Sequence, residues 1–301
     1  MTKKIILITG SALIGIISML AVIFTLIGTG TIDVEQKTLV FTSDSAETTY
    51  SGDALTASGW EITSGQLKEG HIARVVVDGS QTVVGTSLNT LSATIVDEKG
   101  ADVTDHYQIE YHPGTLKVFH RNLQIMANDA VKTYDGSPLT CNQYTIISGS
   151  LPAGHRVEPT YTGSITDVGT APNTVSVIIK DPVGTDVTSN YNINTLNGNL
   201  VVVKRTVHFQ SDTVESYYNG TALTSSGASI TDGTLVSGHT MMVDAPNSII
   251  NVGSIENSFT VRVYDSKGTE VSSNYDLVYS VGTLTIKPTQ VTITTESDVK
   301  P

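Results

Sequence analysis

The sequence predicts a mostly β protein: a tandem array of small antiparallel β-sandwich modules following one N-terminal transmembrane or signal helix. Three observations predict it. One pattern recurs every 84 residues, from Tyr50 to Tyr134 to Tyr218, which marks a repeat architecture. Within each copy apolar and polar residues alternate with period two, as half-buried strands require. After the N-terminal stretch, no window of about ten residues or more carries a convincing 3.6-residue period.

The N-terminal stretch is uncharged over residues 5–27 and dominated by Ile, Leu, Val, Ala and Gly. At 1.5 Å per residue it spans about 35 Å, enough to cross a hydrocarbon core of ~30 Å. Lys3 and Lys4 precede it, and Asp33 and Glu35 follow it. The positive-inside rule then keeps the first residues cytoplasmic and exports the rest. The membrane is therefore an expected partner through residues 1–30, with 31–37 a short linker. A cleaved signal peptide is the rival reading. Its apolar core is usually about 7–15 residues long and ends in an A-x-A-like site, and here the nearest site is the imperfect Gly28-Thr29-Gly30. Both readings place residues 31–301 outside the membrane, at the cell surface or secreted.

Charge and composition narrow the function classes. The chain has 17 Lys+Arg against 29 Asp+Glu, a net of −12 and a pI near 4.9, which argues against nucleic acid as a partner. All the acidic residues lie after residue 30, so the exported part carries 15 basic and 29 acidic residues, a net of −14. That surface is solvated and self-repelling. Apolar residues make up 39% of the chain, enough to build a core rather than a disordered tail. Cys141 stands alone, which excludes a disulfide framework and a Cys-rich zinc site. Its counterparts Ala57 and Ser225 are small, so it reads as a filler.

The repeat divides residues 38–121, 122–205 and 206–288 into three modules, with 289–301 the start of a truncated fourth. Tyr50, Tyr134 and Tyr218 open a Y-x-G turn closed by Gly52, Gly136 and Gly220. Gly70-His71 returns as Gly154-His155 and Gly238-His239, and Val84-Gly85 as Val168-Gly169 and Val252-Gly253. Asn89, Asn173 and Asn257 match, as do Tyr107, Tyr191 and Tyr275. Gly114-Thr115-Leu116 recurs as Gly198-Asn199-Leu200 and Gly282-Thr283-Leu284.

Each module begins with an alternating strand: Leu39 and Phe41, Leu123 and Ile125, Val207 and Phe209. Leu91, Ala93 and Ile95 correspond to Val175, Val177 and Ile179 and to Phe259, Val261 and Val263. The run Asp97-Glu98-Lys99-Gly100 predicts a tight connection between strands. Tyr107 and Ile109, then Leu116 and Val118, flank His112-Pro113-Gly114 and read as a terminal hairpin. No flexible linker separates the modules apart from Pro288 at the third junction, so the array should be stiff. Gln290 to Thr295 matches the opening strand of a fourth copy, so the sequence reads as part of a longer protein.

Taken together, the Y-D-G turn at Tyr134-Asp135-Gly136, the Gly-His pair, Asp186-Val187-Thr188 with Tyr191, and Gly282-Thr283-Leu284 resemble the YDG and MBG repeats of bacterial cell-surface proteins. The resemblance covers residues 38–288. It implies exported stalk modules of adhesin-like proteins and transfers no catalytic residues. Ser51, Asp135 and Asn219 differ at the turn, and Glu270-Val271-Ser272 replaces the D-V-T stretch.

Candidate chemistry is sparse. His71, His155 and His239 are the sharpest suspects, but metal or acid–base work needs converging partners. Each module supplies one recurring His and no second recurring His or Cys. The expectation is a turn residue whose ring caps backbone groups. Acidic residues recur in pairs, Asp97 with Asp102, Asp181 with Asp186, and Asp265 with Glu270. Calcium takes about six to eight oxygens, which makes these pairs weak Ca²⁺ candidates. Turn-forming Asp residues, each three before a Gly, are the competing expectation. A Lys–Asn isopeptide bond would need a Lys in register with Asn89, Asn173 and Asn257, and none recurs. Trp60 occurs once, and its counterparts in the other modules are Tyr144 and Ala228; an aromatic on a β surface can stack on a sugar, but one Trp more often covers a core. His208 and Tyr217-Tyr218 carry no clearer signal.

No G-x-S-x-G, P-loop or H-E-x-x-H is present. No cofactor is expected and no enzyme activity is assigned. The expected role is a structural stalk or spacer, with an extracellular glycan- or host-protein-binding module as the alternative.

Overall fold

The structure is a computed structural model that describes residues 38–296. The expectations for the N-terminal helix, the 31–37 linker and residues 297–301 lie outside the described residues. Within them the chain is mostly β, with three short 3₁₀ turns and no α-helix. Among the described residues no helix is long and apolar enough to cross a membrane. Contacts divide the chain into two compact units, one ending at Arg121 and one beginning at Asn122.

The described residues of the first unit hold seven strands: β1 (Thr38–Ser43), β2 (Ala46–Thr49), β3 (Trp60–Ser64), β4 (Ile72–Asp78), β5 (Gly85–Val96), β6 (Gln108–His112) and β7 (Gly114–Phe119). They form two sheets, ordered β3-β1-β6 and β2-β7-β5-β4. Leu39 and Phe41 of β1 meet Ile95 of β5 at zero exposure, backed by Ile62, Ala73, Val75, Leu91 and Ala93. Burying each large side chain contributes about 1.5–3 kcal/mol, so the period-two pattern is what holds the two sheets together.

Two expectations need correction. The sheets are mixed rather than antiparallel, because β1 pairs with β6 and β2 with β7 in parallel. The terminal hairpin is not formed either. Only Pro113 separates β6 from β7, too short for the two-residue loop a tight hairpin needs. The two strands run end to end into different sheets.

The segments β1–β2 and β6–β7 cross between the sheets side by side, and the crossing is pinned. Gly114 N–H donates to Ser43 Oγ at 2.9 Å, Thr115 N–H donates to Ser45 Oγ at 2.9 Å, and Ser43 Oγ–H donates to the Asn89 carbonyl. A Cβ on Gly114 would lie 2.3 Å from the Asp44 carbonyl oxygen, so only glycine fits where the two backbones touch.

Strand β5 serves both halves of its sheet. Gly85–Asn89 pairs with β7 and Thr90–Val96 with β4. Asn89, fully buried at the change of partner, donates from Nδ2 to the carbonyls of Asp44 (2.8 Å) and Ala57 (3.0 Å). Those bonds tie β5 to the crossing, and Asn173 repeats them on Asn128 (2.9 Å) and Cys141 (3.0 Å). Both amide hydrogens are thus held by backbone carbonyls.

The second unit contains two further sets of strands in the same order. The sheet of Tyr144–Ser148, Arg121–Ala127 and Tyr191–Leu196 matches β3-β1-β6, and that of Arg156–Thr162, Gly169–Lys180, Gly198–Val203 and Ala130–Thr133 matches β4-β5-β7-β2. In the last set the long strand is interrupted, into Gly253–Asn257 and Thr260–Tyr264. Lys204 alone separates Gly198–Val203 from Arg205–Ser211, the first strand of the following module.

Candidate functional site

The recurring residues gather at the ends of the modules. The Y-x-G tyrosines are fixed by their own N–H groups, which donate to the end of the last strand: Tyr50 to Phe119, Tyr134 to Val203 and Tyr218 to Lys287, each at 2.9 Å. Gly52, Gly136 and Gly220 turn the chain at φ of 86°, 76° and 80°. The middle residue closes the turn, with Asp135 Oδ1 accepting from Ser137 N–H (2.9 Å) and Asn219 Oδ1 from Thr221 N–H (2.9 Å). Lys132 beside Asp135, 2.6 Å away, and the Ser137 groups hold that carboxyl far below the usual carboxylate range.

At the opposite end of each module, the recurring histidine meets the recurring tyrosine. His71 Nδ1 lies 2.7 Å from the Tyr107 hydroxyl, His155 Nδ1 2.8 Å from that of Tyr191, and His239 Nδ1 2.8 Å from that of Tyr275. The Tyr107 and Tyr275 hydroxyls also accept from Lys68 and Val236 N–H, both at 3.1 Å. A hydroxyl that accepts from an N–H still has its own proton and a second lone pair for the imidazole, so the tyrosine oxygen bridges the backbone and the ring. In the second module Pro152 takes the matching place and has no N–H to offer. Where a ring capping backbone groups was expected, Nδ1 of each histidine meets a tyrosine hydroxyl, and in the first and third modules that hydroxyl caps a backbone N–H.

In the second unit these two ends meet. Tyr134 is 3% exposed and joins a core of Val207, Phe209, Val261, Val263 and Tyr275 from the following module. Its ring stands edge-on to Tyr275, with centroids 5.6 Å apart, and 6.1 Å from His239. Asn274, 3% exposed, bridges back. Its Oδ1 accepts from Val168 N–H at 2.8 Å and its Nδ2 donates to Asp167 Oδ1 at 2.9 Å. A Cβ on Gly136 would lie 3.2 Å from Val236 Cγ1 and 3.7 Å from His239 Nε2, so a bare backbone suits the contact. Burial is the main cause raising the hydroxyl pKa of both Tyr134 and Tyr275. For Tyr134, Tyr275 and Asp167 add to it, while a hydrogen bond with Asn274 works the other way. Both tyrosines are neutral at physiological pH.

The acidic pairs are engaged by the chain itself. Asp97 Oδ1 accepts from Lys99 and Ala101 N–H at 2.9 Å, and Asp265 Oδ1 from Lys267 (2.9 Å) and Thr269 (2.8 Å). Asp181 does the same with Val183 (3.0 Å) and Thr185 (2.7 Å), and these N–H groups outweigh the upward push of burial on its pKa. Asp102 and Asp186 each cap a 3₁₀ turn, and the Thr104 and Thr188 hydroxyls, followed by the backbone N–H groups, lower their pKa. Glu270 Oε1 accepts from Ser272 Oγ at 3.1 Å. One oxygen of each of these carboxylates is engaged by N–H or O–H donors of its own turn. Among the described residues no three His, Cys, Asp or Glu converge as a metal site.

Trp60 is 37% exposed and packs 5.8 Å from Phe41, at the edge of the core. Cys141 is half-buried, with Sγ 3.9 Å from the Asp129 carbonyl oxygen. Half-buried His208 lies 3.9 Å from Asp232. Asn274 and Asp167 were missed in the sequence. The signal was slender: Asn190 and Asn274 precede recurring tyrosines, but the third counterpart is His106.

No family model matches the chain, and no curated protein matches it either. Among solved structures it resembles Drosophila N-cadherin EC1-3 at 10% identity and a TM-score of 0.26, over 83% of this chain and 98% of that one. It also resembles PcdhgB3 EC1-4 at 9% identity and a TM-score of 0.25, over 84% and 76% of the two chains. At those scores the likenesses carry no argument about what the chain does.

Proposed function

We propose that the chain is a structural stalk or spacer of a bacterial cell-surface, adhesin-like protein: a tandem array of small β-sandwich modules that projects a distal region from the envelope. The observation that carries this reading is the joint, where Tyr134 is buried in the core of the next module and Asn274 clamps Asp167 and Val168. Two modules joined through a shared core and one intervening residue resist bending. The residues kept at fixed spacing serve packing and turns, so repetition supplies length rather than chemistry. The acidic surface keeps such molecules apart. Small-angle scattering tests this: a stalk gives a radius of gyration well above the ~19 Å of a compact chain of this length, and a value near it overturns the reading.

Trp60, 37% exposed and packed against Phe41, favours a second reading, a glycan-binding face. Glycan-array binding that disappears in Trp60→Ala would establish it, and an array without signal would dismiss it.

A further inference from the structure

We infer that the far end of the third module is a docking face for one further repeat module, seated as the third is seated on the second. The inference rests on the geometry of the joint and goes beyond the stalk reading. In the joint, Tyr134, Gly136, Asp167 and Val168 form one half. Counting on by 84 residues gives Tyr218, Gly220, Asn251 and Val252. Tyr218 is 46% exposed and Val252 53% exposed, against 3% for Tyr134. The backbone beneath is already set: Tyr218 N–H donates to Lys287 at 2.9 Å as Tyr134 does to Val203, and Gly220 sits at φ 80° against 76° for Gly136. Thr289 Oγ also donates to the Tyr218 carbonyl at 2.6 Å.

The chain beyond continues the same interface. Val291 and Ile293 are 81% and 84% exposed. Their counterparts Leu39, Phe41, Leu123, Ile125, Val207 and Phe209 are core residues, all 2% exposed or less. This apolar alternation is unpaired and left in solvent next to an open tyrosine, where the first strand of a following module would form against the same contact.

The occupied joint specifies the partner. It is a module with a Gly-His turn and, 35 and 36 residues after the His, an Asn-Tyr pair, as in His239, Asn274 and Tyr275. The Asn carbonyl would accept from Val252 N–H and its amide would donate to Asn251 Oδ1. Asn251 replaces Asp167, so the acceptor is kept without the charge.

The test replaces residues 289–301 of the full chain with a copy of residues 205–287 and follows amide exchange at Val252. Docking slows that amide by about 100-fold relative to the unextended chain, and Asn→Ala at the copied position of Asn274 restores at least about a tenth of the rate. Protection of the copy's own strands in the same experiment shows that the added module has folded. With a folded copy, an unchanged Val252 rate overturns the inference. Protection of Val252 in the unextended chain that grows with concentration also overturns it, and names a second copy of the chain as the occupant. A compact scattering profile would defeat the stalk reading and leave this result untouched.

Discussion

Tyr134 and Tyr218 occupy the same place in successive modules and make the same backbone bond, yet one is 3% exposed and the other 46%. The difference is the neighbour. With His239, Asn274 and Tyr275 of the following module against it, Tyr134 is part of a core; without such contacts the same backbone leaves the Tyr218 ring exposed. The Y-x-G motif therefore costs little within its own module, and its side chain works at the joint.

Exchanging the two rings for methyls separates the halves of that comparison most widely. Tyr134→Ala removes a ring from a shared core and should cost about 3–5 kcal/mol, the range for deleting buried aromatics. Tyr218→Ala should stay within about 0.5 kcal/mol, as exposed substitutions do. Chemical denaturation of the two variants measures both values. Equal losses would mean that Tyr134 acts within its own module and that the joint is incidental.

How much of this could be read in the sequence depends on distance along the chain. Alternation at Leu39 and Phe41 is local, so the strands were legible. The 84-residue spacing picked out the histidines and tyrosines as important, but not that His239 holds Tyr275, since the pair is 36 residues apart. Asn274 bonds a backbone N–H 106 residues away, and no local pattern encodes that. The hairpin expected at Pro113 failed for the converse reason. Two apolar strands around a Pro-Gly look like a local turn, while their true partners β1 and β2 lie about 70 residues earlier.

Asn274→Ala sharpens the comparison from the other side of the joint. It strands the Val168 N–H and the Asp167 carboxylate in a half-buried contact, and a lost bridge of this kind costs about 1–3 kcal/mol. The loss should vanish on the Tyr134→Ala background if the two act as one unit; additive losses in a double-mutant cycle would separate them. Gly136→Ala and Gly220→Ala form a smaller pair. Both place a Cβ at a left-handed φ, worth about 1 kcal/mol. Only at Gly136 does the new methyl also press on Val236 Cγ1, whereas nothing lies within 4 Å at Gly220. Thermal unfolding should rank Gly136→Ala below Gly220→Ala, and the reverse order would place the strain outside the joint.

The smallest effect concerns acid. Asp102 and Asp186 are held below their ordinary pKa, first by the Thr104 and Thr188 hydroxyls and then by the backbone N–H groups. A folded-state pKa below the unfolded one means the unfolded chain binds the proton more readily. The stabilisation is then fully present above the unfolded value of about 3.9 and fades as pH falls through the folded one. Both carboxyls are exposed, so screening by water and salt keeps the contribution small. Asp186→Asn keeps an oxygen for Thr188 and removes the titrating proton, so its unfolding midpoint should fall less steeply than that of the parent chain below about pH 4. Parallel curves would show that the cap on the 3₁₀ turn is indifferent to charge, and would leave acid sensitivity to Asp135, whose carboxyl lies 2.6 Å from Lys132 in the turn that carries Tyr134.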